Sequence, residues 1–208
     1  MLPASSHVPM TTQITTEQIK ALRDQTGISV MLCRKALEEA NGDSEKAKII
    51  LQRKGADAAA KKADRTLGAG TVASYIHHGG TVGVLIELSS ESDFVSGNEA
   101  FKALAHDIAM HIAAAKPEFV RREDINADTI ARTKEVLLKE IEGKPKEMQE
   151  KILEGKMNSY FAEKILLEQP FIKNPDQTVR NLIENAIQKF GEKIEVTRFV
   201  RYVAGNRT

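Results

Sequence analysis

Only one cysteine, Cys33, stands among the 208 residues, so an intramolecular disulfide is impossible. That usage fits a reducing compartment, with the cytoplasm as the expected setting. No apolar run approaches the roughly 20 residues that a membrane-spanning helix needs. The opening MLPASSHVP lacks the basic and apolar regions of a secretory signal, so no membrane association is expected. Met10 begins a more natural-looking start. Residues 1–9 are therefore set aside from the fold as an upstream-start artefact, a cloning remnant or a floppy arm, and residues 1–14 are expected to be disordered. An excess of charge is missing as well: 30 Lys and Arg against 29 Asp and Glu leave a formal +1. A chain whose main work is neutralising phosphates carries a larger basic surplus. A protein partner is favoured, and direct nucleic-acid binding is not expected.

The familiar chemical motifs are also absent. There is no G-x-x-x-x-G-K-[ST] phosphate loop, no G-x-G-x-x-G after a strand, no G-x-S-x-G and no H-E-x-x-H. Nucleotide is not expected to be bound by these routes. His77-His78 and the His106/His111 pair invite a metal, but neighbours on a strand face opposite ways and a five-residue helical offset diverges. No metal site is expected.

What is present suffices for one ordinary domain or two small ones, with 41% apolar residues. Residues 15–55 read as three short helices. Thr15 and Gln18 form a capping-box signature, Ile19 and Leu22 recur at helical spacing, and Thr26-Gly27 stops the first helix. Ser29 caps a second helix with Cys33, Ala36, Leu37 and Ala40 on one face, closed by Asn41-Gly42. Asp43 caps the third, whose Ala47, Ile50 and Leu51 lead to Gly55 as the stop. Each is too short to persist alone, so the three share one core, and Cys33 reads as a small core residue rather than a nucleophile. Residues 56–67 predict a linker helix. Its Lys61, Lys62 and Arg65 form a solvated face more readily than an RNA site.

From Gly68 the pattern alternates. Val72, Ser74 and Ile76 alternate with Ala73, Tyr75 and His77, and Val82, Val84, Ile86 and Leu88 take every second position of the next run. Gly79-Gly80 between them supplies the positive φ of a tight hairpin. Phe101, Leu104, Ile108, Ile112 and Ala115 then mark a helix that ends at Lys116-Pro117 and should lie across the hairpin. Two further helices over 128–142 and 145–168, separated by Gly143-Lys144-Pro145, predict an antiparallel helical hairpin or coiled-coil arm at about 128–168. A helix over 178–190 precedes a last strand over 193–203, which can join the hairpin in a three-stranded antiparallel sheet. The predicted class is α+β, with 68–205 as its core domain. Between the second strand and the long helix stands Ser92-Asp93-Phe94-Val95. Its usual reading is a cap and hydrophobic staple, with Asp93 accepting helix-terminal amides and Phe94 closing the core.

The ordered set of motifs resembles the elongation factor Ts family. Thr26-Gly27, Met31, Cys33-Arg34-Lys35-Ala36-Leu37 and Asn41-Gly42-Asp43 are similar to its amino-terminal signature, and Ser92-Asp93-Phe94-Val95 to its Thr-Asp-Phe-Val. Met110-His111-Ile112-Ala113-Ala114 with Lys116-Pro117, then Gly143-Lys144-Pro145, Glu154-Gly155-Lys156-Met157 and Gln169-Pro170-Phe171, follow in the family's order. The resemblance implies a ubiquitin-associated-like three-helix module. It also implies guanine-nucleotide exchange on elongation factor Tu, bound with GDP or empty, with GDP released so that GTP can bind, and with no catalytic residue, no cofactor and no enzyme activity. Asp93, Phe94 and Val95 match the element that approaches the magnesium side of the partner's pocket. Arg23, Val30 and Met31 match contacts to a helix of the partner's GTPase domain, and either His77 or His78 matches a contact on the phosphate-loop side. Ser92 replaces the commoner threonine, and Leu32 stands where the family often has aspartate. Many members carry two copies of the strand-and-helix subdomain. This chain has room for one, which implies a homodimer. A helical adaptor using only residues 15–55, and a weak RNA binder using Lys61, Lys62 and Arg65, are the alternatives.

Overall fold

The computed structural model describes residues 14–143 and 145–205. Residues 1–13 of the arm expected over 1–14, and Lys144 of the helical hairpin's turn, lie outside the described residues, while Ile14 packs against the core of the first unit. The chain divides into two units, one reaching to Ala63 and including Glu184–Gly191, the other Asp64–Ile183 with the residues from Glu192 onward.

In the first unit, short polar side chains start each helix. Thr15 Oγ1 accepts from the Gln18 amide at 3.2 Å while Gln18 Oε1 accepts from the Thr15 amide at 2.9 Å, which opens α1 (Thr16–Thr26). Ser29 caps α2 (Val30–Glu39) through the Leu32 amide, and Asp43 caps α3 (Ser44–Ala60) through the Lys46 amide. Each such cap is worth about 1 kcal/mol. Gly27 at φ 70°, and Asn41 and Gly42 at φ 52° and 84°, turn the chain between them. Leu22, Ile28, Cys33, Ala36, Leu37, Ala40, Ala47 and Leu51 form the buried core, with Ile14, Ile19, Leu32 and Ile50 packed against it.

Gly55 does not stop the third helix, nor is there a separate linker helix over 56–67. α3 runs through Gly55 to Ala60. The cost of one interior glycine, about 1 kcal/mol, is offset by the alanines that follow. Gly55 is buried, and a Cβ there would lie 2.7 Å from Gln188 Nε2 and 3.2 Å from Glu184 Cβ. The glycine therefore serves close approach, not termination. Those neighbours belong to the second half of α8 (Val179–Phe190), which clusters with α1–α3, although the sequence placed it with 68–205.

In the second unit, β1 (Ala69–Ile76) and β2 (Val82–Ser90) form the expected hairpin, with Gly79 and Gly80 at φ 86° and 70°. β5 (Ile194–Val203) joins β2 to give an antiparallel sheet of order β1-β2-β5. Thr197 is the extra residue of a bulge opposite Glu87 and Leu88, where its hydroxyl meets Ser89 Oγ at 2.6 Å. After the single turn α4 (Asp93–Ser96), α5 (Glu99–Ala115) packs across β1 and β2. Its Phe101, Ala105, Ile108 and Ile112 are buried, as are Val84, Ile86, Leu88 and Val196 of the sheet.

α6 (Ala127–Ile141) and α7 (Lys146–Ala162) pair through Leu137, Ile141 and Leu153, with Lys156 bridging Glu140 at 2.6 Å. The second helix ends at Ala162 rather than at 168. Beyond it the backbone turns to pair with residues 118–120: Glu118 and Phe119 donate to Lys164 O, and Leu166 donates to Phe119 O. Helix propensity yields there to burial of Ile165 and Leu166. A small unpredicted ribbon follows, β3 (Pro170–Phe171) with β4 (Asn174–Thr178). Both of its strands are edges, the one sheet setting that tolerates Pro175. Thr178 then caps α8 by reciprocal bonds with Asn181.

Candidate functional site

The segment after β2 is held by a carboxylate clamp. Glu192 accepts from the Ser92 amide at 3.0 Å and from its hydroxyl at 2.6 Å, and Ser90 Oγ donates to Ser92 O at 2.9 Å. Serine in place of threonine keeps the hydroxyl that this clamp requires. From Ser92 the chain makes one turn, with Gly97 N donating to Asp93 O at 2.8 Å, and Asn98 Oδ1 then caps α5 through the Ala100 amide.

The cap-and-staple expectation for Asp93 and Phe94 is overturned. No side chain caps α4, and Asp93 is exposed. Val95, not Phe94, plugs the core, while Phe94 is 83% exposed. The reason is geometric: in a single helical turn, adjacent residues point about 100° apart, so burying Val95 turns Phe94 outward. An exposed phenyl forgoes roughly 1.5–3 kcal/mol of burial. A large apolar group held outward on an anchored turn suits insertion into another molecule.

At the opposite end of the hairpin, His77 follows β1. Its amide donates to Val82 O at 2.9 Å, and its Nδ1 lies 3.2 Å from the Tyr75 hydroxyl. His78 is exposed and has no hydrogen bond, ion pair or ring contact among the described residues. The hairpin register puts seven residue steps between its two ends, about 23 Å. The structure therefore does not bring Asp93 and Phe94 together with the histidines within one chain.

The remaining predicted contacts lie in the first unit. Arg23 in the last turn of α1 and Val30 and Met31 in the first turn of α2 are exposed. Leu32 is half buried and packs against the core. The apolar side chain at this position therefore adds packing to the module's core. Cys33 is fully buried, its Sγ donating to Ile28 O at 3.6 Å, and burial pushes its thiol up. Arg65 is engaged by Glu91 at 3.0 Å, which takes one cation out of the basic cluster.

Two features escaped the sequence. Ile49 is exposed on α3, hidden in the run Ile49-Ile50-Leu51, where the helical stripe needed only the last two. The sheet face opposite α5 carries an apolar patch: beside the Glu87–Arg198 ion pair, the register aligns Val72 and Ile76 of β1, Leu85 of β2, and Val200 and Tyr202 of β5, and Val72 and Tyr202 are 69% and 68% exposed. Its signal was the presence of apolar residues at both parities of β1 and β5.

Comparison with known proteins gives a consistent result. A sequence model of the family described as Elongation factor TS matches residues 35–206. The Elongation factor Ts of Desulforamulus reducens is 53% identical over 195 residues, 93% of this chain and 90% of that protein. That of Carboxydothermus hydrogenoformans is 53% identical over 194 residues, 92% of this chain and 89% of that one. That of Heliobacterium modesticaldum is 50% identical over 194 residues, covering 92% and 90%.

Proposed function

The chain belongs to the elongation factor Ts family, and from that premise we propose how its own residues carry out the family's activity, nucleotide exchange on elongation factor Tu. An exchange factor binds the empty partner better than the GDP-bound one. By reciprocal linkage it lowers GDP affinity by the same factor by which GDP lowers its own. It makes and breaks no covalent bond, so it is not an enzyme in the chemical sense. The exposed ring of Phe94 is the wedge, and it is the single observation that carries this assignment. Asp93 stands beside it, and Val95 anchors the turn on the core. Inserted on the magnesium side of the pocket, the ring displaces groups that support the ion, and phosphate binding weakens with them. Arg23, Val30 and Met31 dock the partner's GTPase domain, as an arginine and flexible apolar side chains suit an interface. Phe94→Ala, measured by release of a fluorescent GDP analogue from elongation factor Tu, tests the wedge. Unchanged release by a folded variant would remove it.

Two supports favour a homodimer. His77 and His78 follow the end of β1, while the Phe94 turn follows the end of β2 that pairs with the start of β1, and the strand between them is about 23 Å long. That is too far for one hairpin to bring both to a single nucleotide. A twofold partner supplies the second copy, and the apolar sheet face carrying Val72, Leu85 and Tyr202 is the surface to bury. Sedimentation at micromolar concentration tests this, and a monomer throughout would contradict it. No helix among the described residues is long and apolar enough to cross a membrane. With a translational GTPase as its partner, the protein works in the cytoplasm.

A further inference from the structure

Tyr75 is not among the expected partner contacts, yet it is held on two sides near the hairpin tip. It alternates with His77 along the chain, so both side chains fall on the face that α5 covers. Its ring meets His106 of α5 edge-on, with centroids 5.7 Å apart and planes at 75°. His106 lies 3.9 Å from Asp107, which pairs with Lys173 at 2.6 Å. On its other side Tyr75 faces His77, its hydroxyl 3.2 Å from Nδ1 and the ring centroids 6.1 Å apart. His78, in the turn itself, has no such contact among the described residues.

We infer that Tyr75 is a positioning residue: it selects His77 rather than His78 as the exchange contact and sets that histidine's tautomer. In this assignment the phenol O–H is the donor and Nδ1 the acceptor, which leaves the proton of the neutral imidazole on Nε2, the nitrogen directed away from Tyr75. His77 thus presents a hydrogen-bond donor at the hairpin tip. The group it meets on the partner is an acceptor, a main-chain carbonyl or a carboxylate. This rests on the assignment of a histidine in this segment as a partner contact.

The test uses the full chain. Long-range proton–nitrogen NMR of the free protein is expected to report His77 with its proton on Nε2, and Tyr75→Phe to give a mixture of tautomers with the fold unchanged by circular dichroism. In GDP-analogue release from elongation factor Tu, Tyr75→Phe is expected to slow exchange by about two- to tenfold, the worth of one hydrogen bond. His77→Gln keeps an N–H donor that needs no tautomer set. In that background, adding Tyr75→Phe should change the rate by less than about twofold, since the coupling partner is gone. An equal loss from Tyr75→Phe in both backgrounds, or an Nδ1–H ring in the wild type, overturns the positioning role. Unchanged exchange by His77→Ala overturns the contact assignment beneath it, whatever tautomer is seen.

Discussion

Replacing Phe94 by alanine removes a ring that is 83% exposed in the free protein, so the folded state loses almost no packing. The adjacent plug, Val95, is 3% exposed and the Ser92–Glu192 clamp lies behind it, so the backbone of the turn has no reason to move. The loss falls instead on the complex. A phenylalanine that becomes buried contributes roughly 150–250 Å² of surface. At about 25 cal/mol per Å² that is about 4–6 kcal/mol before interface costs, and aromatic anchors measured by truncation retain about 2–4 of it. The second-order rate of GDP release should therefore fall by between about 30-fold and 800-fold. The assay is stopped-flow release of a fluorescent GDP analogue from elongation factor Tu at factor concentrations below saturation, beside a thermal melt of the free variant. The melt should shift by less than about 2 °C. A variant that exchanges as fast as the wild type, or one that melts far lower, would refute the separation of ring from core. Val95→Ala gives the mirror result, a destabilisation of about 1–3 kcal/mol from the cavity it leaves.

Other perturbations test the supports of that turn and the rest of the fold. Ser92→Ala removes the hydroxyl donated to Glu192 and should cost about 1–3 kcal/mol in chemical denaturation, whereas Ser92→Thr should stay within about 0.5 kcal/mol. His111 is buried and neutral, with Nε2–H donating to Gln169 Oε1 at 2.9 Å and Nδ1 accepting from the Ile172 amide at 3.2 Å. Burial pushes its pKa down. The unfolded chain then binds the extra proton first, so His111's contribution is complete above an unfolded pKa of about 6.5 and is lost as pH falls below it, by at most about 1.4 kcal/mol per pH unit. Urea unfolding between pH 7 and 5 should show that slope, and His111→Gln should flatten it. Paired Val72→Asp and Tyr202→Asp substitutions on the open sheet face should turn a dimer into a monomer by sedimentation and slow GDP release with Phe94 intact.

Much of the architecture was legible because local signals agreed. The caps at Thr15, Ser29 and Asp43, the Gly79-Gly80 turn and the alternation through Val82–Leu88 each specify one conformation and meet no tertiary competitor. Gly55 misled because a helix-stopping residue can equally serve close packing, and only the approach of Glu184 and Gln188 decides which. The 163–168 segment misled because its apolar residues satisfy a helix and a bridge to Phe119 equally well. The ribbon around Pro170 and Pro175 carries no alternation long enough to read. At the site, the motif Asp93-Phe94-Val95 was visible, but which apolar residue faces inward depends on where the single turn begins, and that is set by a clamp from Glu192, a hundred residues away in sequence. Tyr75's hold on His77 was hidden for a related reason, since its second anchor, His106, comes from another element.

Loosening GDP from elongation factor Tu is the activity of this chain's family. It is tested most directly by titrating the full protein into elongation factor Tu loaded with a fluorescent GDP analogue and following release against an excess of unlabelled nucleotide. The observed rate should rise from the intrinsic value and saturate with factor concentration, and free GDP should weaken the factor's binding by the same ratio by which the factor weakens GDP's. A release rate that stays at the intrinsic value across the titration, with the protein folded, would contradict it.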